Sequence, residues 1–131
     1  ASLFIDNKDD RVDVFEGFFN FLSHQAANAD KSIPVNNFLI LNSLAFFGKQ
    51  RNTMERHNQI NLYLDRDKAG MNCTEEALKI SPKYQDQSML YSKHNDINEW
   101  LIQTKSEELL QTKQSQKQDH KQIKINGYGR F

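Results

Sequence analysis

With 131 residues, 37% of them hydrophobic and 11% aromatic, the chain suits one globular domain with a core of its own rather than a disordered polypeptide. Seventeen Lys and Arg balance seventeen Asp and Glu, which excludes a global positive field, so nucleic-acid contact would have to rest on a local patch or on metal ions. The single Cys73 excludes an internal disulfide, the four His lack zinc spacing, and no apolar run approaches the ~20 residues that span a bilayer, so the expectation is a cytoplasmic protein with no zinc and no membrane partner.

Val12 to Glu16 (VDVFE), after the acidic DNKDD and before Gly17, predicts a short core strand ending at Glu16. Phe18, Phe21, Leu22 and Gln25 or Ala26 recur at helical spacing and predict a helix lying back across a sheet. A loop from Asn28 to Val35, with Pro34 in it, leads to a second apolar strand, Asn37 to Leu41. Ser43 then caps a helix reaching about His57. Gln59 to Leu64 (QINLYL) is a third strand and runs straight into Asp65-Arg66-Asp67-Lys68-Ala69-Gly70. Ala69, Cys73, Ala77 and Ile80 share one face of the next helix, which Pro82 stops. Ser88 to Tyr91 is the expected fourth strand. Asp96 with Glu99 resembles a capping box that opens a helix through Trp100 and Leu101 to about Leu110. From Gln111 the composition turns to Gln, Lys, Asp and His, which reads as a polar tail; Lys113, Lys117, Lys121 and Lys124 would form a basic stripe if it were helical, but a solvated extension is expected. Opening at Ala1 without Met, the chain reads as part of a longer protein.

Strands alternating with helices predict an α/β fold of about four mostly parallel strands with helices on both faces. In such sheets ligands bind beyond the carboxyl ends of the strands, where Glu16, Asn42 with Ser43, and Asp65 with Asp67 all fall. Carboxylates on rigid strand ends suit Mg²⁺, a hard ion that takes oxygen ligands and keeps several waters. In an extended segment Asp65 and Asp67 point to one side and Arg66 to the other, although acid pairs at strand ends also serve as solvated turn residues or helix caps.

Val14-Phe15-Glu16-Gly17-Phe18-Phe19-Asn20 resembles the hydrophobic strand, Glu-Gly and aromatic pair of the Toprim domain of the bacterial-primase type. Leu62 to Gly70, an apolar strand followed by D-x-D-x-A-G, resembles the second Toprim motif, and Tyr91 to Leu101 is similar to the third acidic segment. The resemblance spans about residues 11–102 and implies a compact Toprim domain over 1–110, followed by the polar tail 111–131. It implies Glu16 as the acid/base or metal-supporting group and Asp65 and Asp67 as ligands of Mg²⁺ or Mn²⁺. Asp96 is a third candidate metal ligand, weighed against helix capping. Arg66 and Lys68 are candidate contacts to nucleotide or template phosphates, and Ser43 is a candidate phosphate donor, weighed against its role as a cap.

The function implied is metal-dependent nucleotidyl transfer in a DNA primase-like protein of a mobilisable or conjugative element. Its partners would be DNA template and nucleoside triphosphates reached through the parent protein, together with a helicase or relaxase. Phosphodiester cleavage by a Toprim nuclease and a non-catalytic nucleic-acid-binding module are the alternatives. Two positions depart from the pattern: Asn20 stands where an Asp often follows the Glu by four, and Asn98 replaces the second acid of the third segment. Both remove charge and imply weak or absent binding of a second metal. Phe18, Phe21, Phe38, Phe46 and Phe47 are expected in the core rather than in a base-stacking platform, and Cys73 as a small buried hydrophobe.

Overall fold

Residues 1–32 and 35–128 are described by the computed structural model, with side chains as far as Ser115; Ile33 and Pro34 of the expected loop, and the end of the polar tail, lie outside the described residues. The strands are β1 (Leu3–Ile5), β2 (Arg11–Phe15), β3 (Asn37–Ile40), β4 (Gln59–Tyr63) and β5 (Tyr84–Asp86). The helices are α1 (Phe18–Ala27), α2 (Phe47–Glu55), α3 (Lys68–Ile80) and α4 (Ile97–Tyr128), with 3₁₀ turns at Leu44–Phe46 and Ser88–Tyr91. They build a mixed α/β fold around one five-stranded sheet in the order β1-β3-β2-β4-β5. All neighbouring strands run parallel except β1, which pairs antiparallel with β3.

Because side chains alternate across a strand, each central strand serves two layers. Val12, Val14, Leu39, Leu41, Ile60, Leu62 and Leu64 pack on one face with Phe47 and Met54 of α2 and Ala77 of α3. Phe15, Phe38, Ile40 and Tyr63 lie on the other face, against Phe21 of α1. Helices therefore cover both faces, and Cys73 packs against the first cluster with its thiol pushed up to about 11, chiefly by burial. Of the five Phe expected in the core, Phe21, Phe38 and Phe47 are buried, Phe46 is half-buried, and Phe18, the first residue of α1, stays 47% exposed.

The structure departs from the expected elements in three places. Ser88–Tyr91 is a 3₁₀ turn, not a strand: the Ser88 N–H donates to Asp86 Oδ1 at 2.8 Å, and the buried Tyr91 hydroxyl donates to the Leu64 carbonyl at 2.7 Å, which ties the segment to the end of β4 instead of to its edge. That edge belongs to Tyr84–Asp86, in register with Ile60–Leu62. The helix after Ser43 begins as a 3₁₀ turn, and Ser43 Oγ caps it by accepting from the Ala45 N–H at 3.2 Å. Strand β1 was too short to carry a pattern and forms through pairing with Phe38–Ile40.

Ala1–Trp100 form one compact unit, and the chain from Leu101 onward is a second, whose described backbone continues α4 as helix to Tyr128. Helix thus runs through much of what reads as a polar tail, while the side chains of Lys117, Lys121 and Lys124 lie outside those described. Among the described residues no helix is long and apolar enough to cross a membrane.

The turn from β4 into α3 is the tightest junction in the first unit. Asp67 caps α3 by accepting from the Gly70 N–H at 2.8 Å, and a Cβ at Gly70 would run into the carbonyl oxygen of Asp65. Gly70→Ala is therefore expected to destabilise the fold by about 1–3 kcal/mol through overpacking. Gly48 in α2 has open space, so Gly48→Ala should stabilise by about 0.5–1 kcal/mol. Urea denaturation of both variants checks the pair, and equal midpoints would remove the steric account of Gly70.

Candidate metal centre

Phe15 and Tyr63 pair in register at the carboxyl ends of β2 and β4, the two central parallel strands. The next residue of one chain segment is Glu16 and, two beyond Tyr63 on the other, Asp65, so the pairing delivers both acids to one edge of the sheet. One carboxylate oxygen from each of Glu16, Asp65 and Asp67 lies within 4.8 Å of the others. Glu16 and Asp65 are half-buried and Asp67 is exposed. The Asp65 N–H donates to Glu16 Oε1 at 3.3 Å, and Asn20 Nδ2 donates to Asp65 Oδ1 at 3.0 Å.

Crowding like charges in a partly dry corner raises their proton affinity. Burial, then the charge of Asp65, pushes Glu16 up to about 7. Burial likewise raises Asp65, with Asp96 and Asp67 adding to the rise and hydrogen bonds from Glu16 and Asn20 opposing it. Below about pH 7 Glu16 is therefore the group that takes up the proton. Among the described residues no Lys or Arg forms an ion pair with any of the three acids. Hard carboxylate oxygens, half-buried and without a balancing cation, fit a divalent metal that retains waters. Asp67 can serve with one oxygen while the other caps α3. The high-pKa thiol of Cys73 does not suit a zinc site.

The remaining candidates take other positions. Asp96 is outside the three-carboxylate group; its Oδ1 accepts from the Glu99 N–H at 2.8 Å and caps α4, while its charge still reaches Asp65. Arg66 turns away from the acids, as alternation requires, and its Nη1 donates to Ser88 Oγ at 2.9 Å. Its N–H donates to the Asn95 carbonyl at 2.6 Å, so the residue ties the segment just before α4 to the end of β4. Lys68 is exposed at the start of α3, with its ammonium unbonded among the described residues. Ser43 follows β3 and serves its own 3₁₀ turn. Asn42, at φ 65°, adopts the left-handed conformation that Asn tolerates, and its Nδ2 donates to the Ala1 carbonyl at 2.8 Å.

Asn20 is more than a lost charge. One turn into α1, its amide is buried and holds the Asp65 carboxylate, an orienting role that the sequence pattern alone did not indicate. Asn98 accepts from Ser23 Oγ at 2.8 Å, which ties the first turn of α4 to α1.

The model of the family described as Toprim-like matches residues 13–101. The chain belongs to the Toprim-like family. The solved primase fragment of the bacteriophage T7 primase-helicase protein superposes with a TM-score of 0.58 at 20% identity, over 81% of this chain and 44% of that one. This Toprim domain thus shares its fold with a primase fragment and spans less than half of that fragment's length. No curated protein matches the chain.

The raised Glu16 pKa has a consequence for stability. The ordinary value of 4.5 rises to about 7 on folding, so the folded state holds the proton more tightly. The resulting stabilisation is complete below about pH 4.5 and is lost as pH rises through about 7. In metal-free protein, the melting temperature of wild type relative to Glu16→Gln should therefore fall between those pH values, and saturating Mg²⁺ should recover it. Thermal melting in chelator across that range checks this, and a flat difference would show that Glu16 titrates normally.

Proposed function

We propose that this Toprim domain is the nucleotidyl-transfer module of a primase-like protein, making RNA primers in the replication or mobilisation of a genetic element. Residues 1–110 would form the domain and 111–131 a polar extension. The observation that carries the reading is the meeting of Glu16, Asp65 and Asp67 at one sheet edge, in a chain with both primase-type Toprim motifs and the fold of a primase fragment.

In this reading Asp65 and Asp67 hold Mg²⁺ or Mn²⁺, and Asn20 keeps Asp65 oriented. The bound ion would neutralise the triphosphate and the charge that develops during phosphoryl transfer. Glu16, poised near neutrality, accepts or returns a proton beside the reacting phosphate, because a group with a pKa near the working pH exchanges protons most effectively. Lys68, exposed at the rim, meets nucleotide or template phosphates. Arg66 and Ser43 act there only if substrate draws them from their present partners. Asp96 tunes Asp65 through its charge while capping α4. Template and nucleoside triphosphates would be brought together by the longer parent protein in the cytoplasm, with a helicase or relaxase as the further partner.

Incubating the intact parent protein with single-stranded template and four ribonucleotides is expected to yield labelled oligoribonucleotides. Glu16→Gln should lower that turnover by about 10² or more while leaving the fold as stable or slightly more so. Template shortening without extension products would replace the primase reading with the nuclease one. Calorimetric titration of the domain with Mn²⁺ should show binding that Asp65→Asn and Asp67→Asn abolish. Absence of binding in the wild type would leave a non-catalytic nucleic-acid-binding module.

A further inference from the structure

A second polar cluster lies on the α1 face of the sheet, set back from the carboxylate edge. Asp13 is three residues before Glu16 on β2, about 10 Å along an extended strand. It is 4% exposed and sits in the central strand of the sheet, where an unpaired charge is costly. Its Oδ1 accepts from Asn36 Nδ2 at 3.0 Å and from Asn61 Nδ2 at 2.9 Å. Among the described residues its Oδ2 faces only the His24 ring, with Nε2 at 4.0 Å, beyond hydrogen-bonding distance. Burial holds His24 below the ordinary histidine range, so the ring is neutral and leaves the carboxylate unbalanced. His24 Nδ1 is a buried side-chain nitrogen with no partner among the described residues.

These groups border a cleft of about 370 Å³ between the C-terminal half of α1 and the sheet, and none of Glu16, Asp65 and Asp67 lines it. Its polar lining combines the Asp13 carboxylate and the Asn28, Asn36 and Asn61 amides with Gln25 and Lys31. One amide N–H of Asn28 is used on the His24 carbonyl, and one each of Asn36 and Asn61 on Asp13, which leaves each amide a second N–H. Among the described residues no donor reaches the side-chain oxygens of Asn28 and Asn36, so these two and Asp13 Oδ2 are open acceptors in the cleft. Phe38 and Tyr63 add aromatic walls, and the Tyr63 ring meets that of His24 at 4.8 Å. An anionic ligand would face a buried carboxylate and is disfavoured. A guanidinium fits: its in-plane N–H groups match diverging oxygen acceptors, and its flat faces lie well against aromatic rings. An ammonium is held more tightly by water and lacks the planar fork.

We propose that the cleft lined by Asp13, Asn36, Asn28, Phe38 and Tyr63 is a second binding site, separate from the carboxylate cluster, that takes a guanidinium group. Lys31 lines the same cleft from its exposed loop and opposes the incoming cation, so it sets how tightly the group is held.

Titration of the ¹⁵N-labelled protein with butylguanidinium, followed by NMR, is expected to give saturable shifts in the side-chain amides of Asn36 and Asn61. Neutral butylurea should give none, and butylammonium should bind more weakly. Asp13→Asn should weaken butylguanidinium by about tenfold or more, the size expected for loss of a charge-assisted hydrogen bond. In case that core substitution disturbs the fold, Ala29→Phe at an exposed lining position should block the cleft and abolish the shifts. Lys31→Glu should tighten binding several-fold, and Glu16→Gln should leave it unchanged. A capped Gly-Arg-Gly peptide that binds as well as butylguanidinium assigns the group to a protein side chain; butylguanidinium binding alone assigns it to a small molecule. The proposal is overturned if no saturable shift is seen, if butylurea binds equally, if binding survives both Asp13→Asn and Ala29→Phe, or if the shifts centre on Glu16 and Asp65.

Discussion

Mutual repulsion among Glu16, Asp65 and Asp67 is the constraint around which the carboxylate edge of this domain is organised. Three carboxyl groups with oxygens within 4.8 Å of one another repel, and a proton or a cation among them relieves that repulsion. The fold accepts this because two central strands in parallel register leave Glu16 and Asp65 no other place to go. The surrounding contacts hold the acids where they repel. Asn20 and the Asp65 N–H fix the first pair, and the α3 cap fixes Asp67.

Two neighbouring features make sense in that light. The approach of Gly70 to the Asp65 carbonyl lets α3 begin immediately behind the acids, so the turn carrying Asp65 and Asp67 is short and stiff. Arg66, between the two acids in sequence, is drawn off to Ser88 and so cannot neutralise them, while Tyr91 anchors the same segment to the Leu64 carbonyl. A site that kept an internal Arg counter-ion would have less need of a metal.

The two faces of the sheet differ in kind. The face under α2 and α3 is apolar throughout the central strands and supplies most of the core. The face under α1 is apolar where Phe15, Phe21 and Ile40 meet towards the carboxylate edge, and becomes mixed where Asp13 and Asn61 stand beside Phe38. Strict alternation would permit hydrophobic residues at both positions; their burial is matched instead by the hydrogen bonds that Asp13 accepts from Asn36 and Asn61.

Much of this was legible in the sequence. The β-branched and aromatic runs at Val12–Phe15, Phe38–Leu41 and Ile60–Leu64, broken only by Asp13 and Asn61, mark the central strands, because burial on both faces demands mostly apolar stretches. Asp65 and Asp67 stand two apart at a strand end, which alone sets them on one side and Arg66 on the other. Long-range pairing decided the rest. The edge strands β1 and β5 have three residues each and no signal of their own, so only their partners define them. Ser88–Tyr91 has strand-like composition but is held as a 3₁₀ turn by bonds to Asp86 and Leu64. Asn20 as a support for Asp65 and the cleft around Asp13 depend on side chains 23 to 48 residues apart in sequence meeting in the fold, and the place of Asp96 outside the carboxylate group is likewise decided by packing. Local pattern sets which residues face together within an element; which elements face each other is settled only when the sheet closes and its two layers pack.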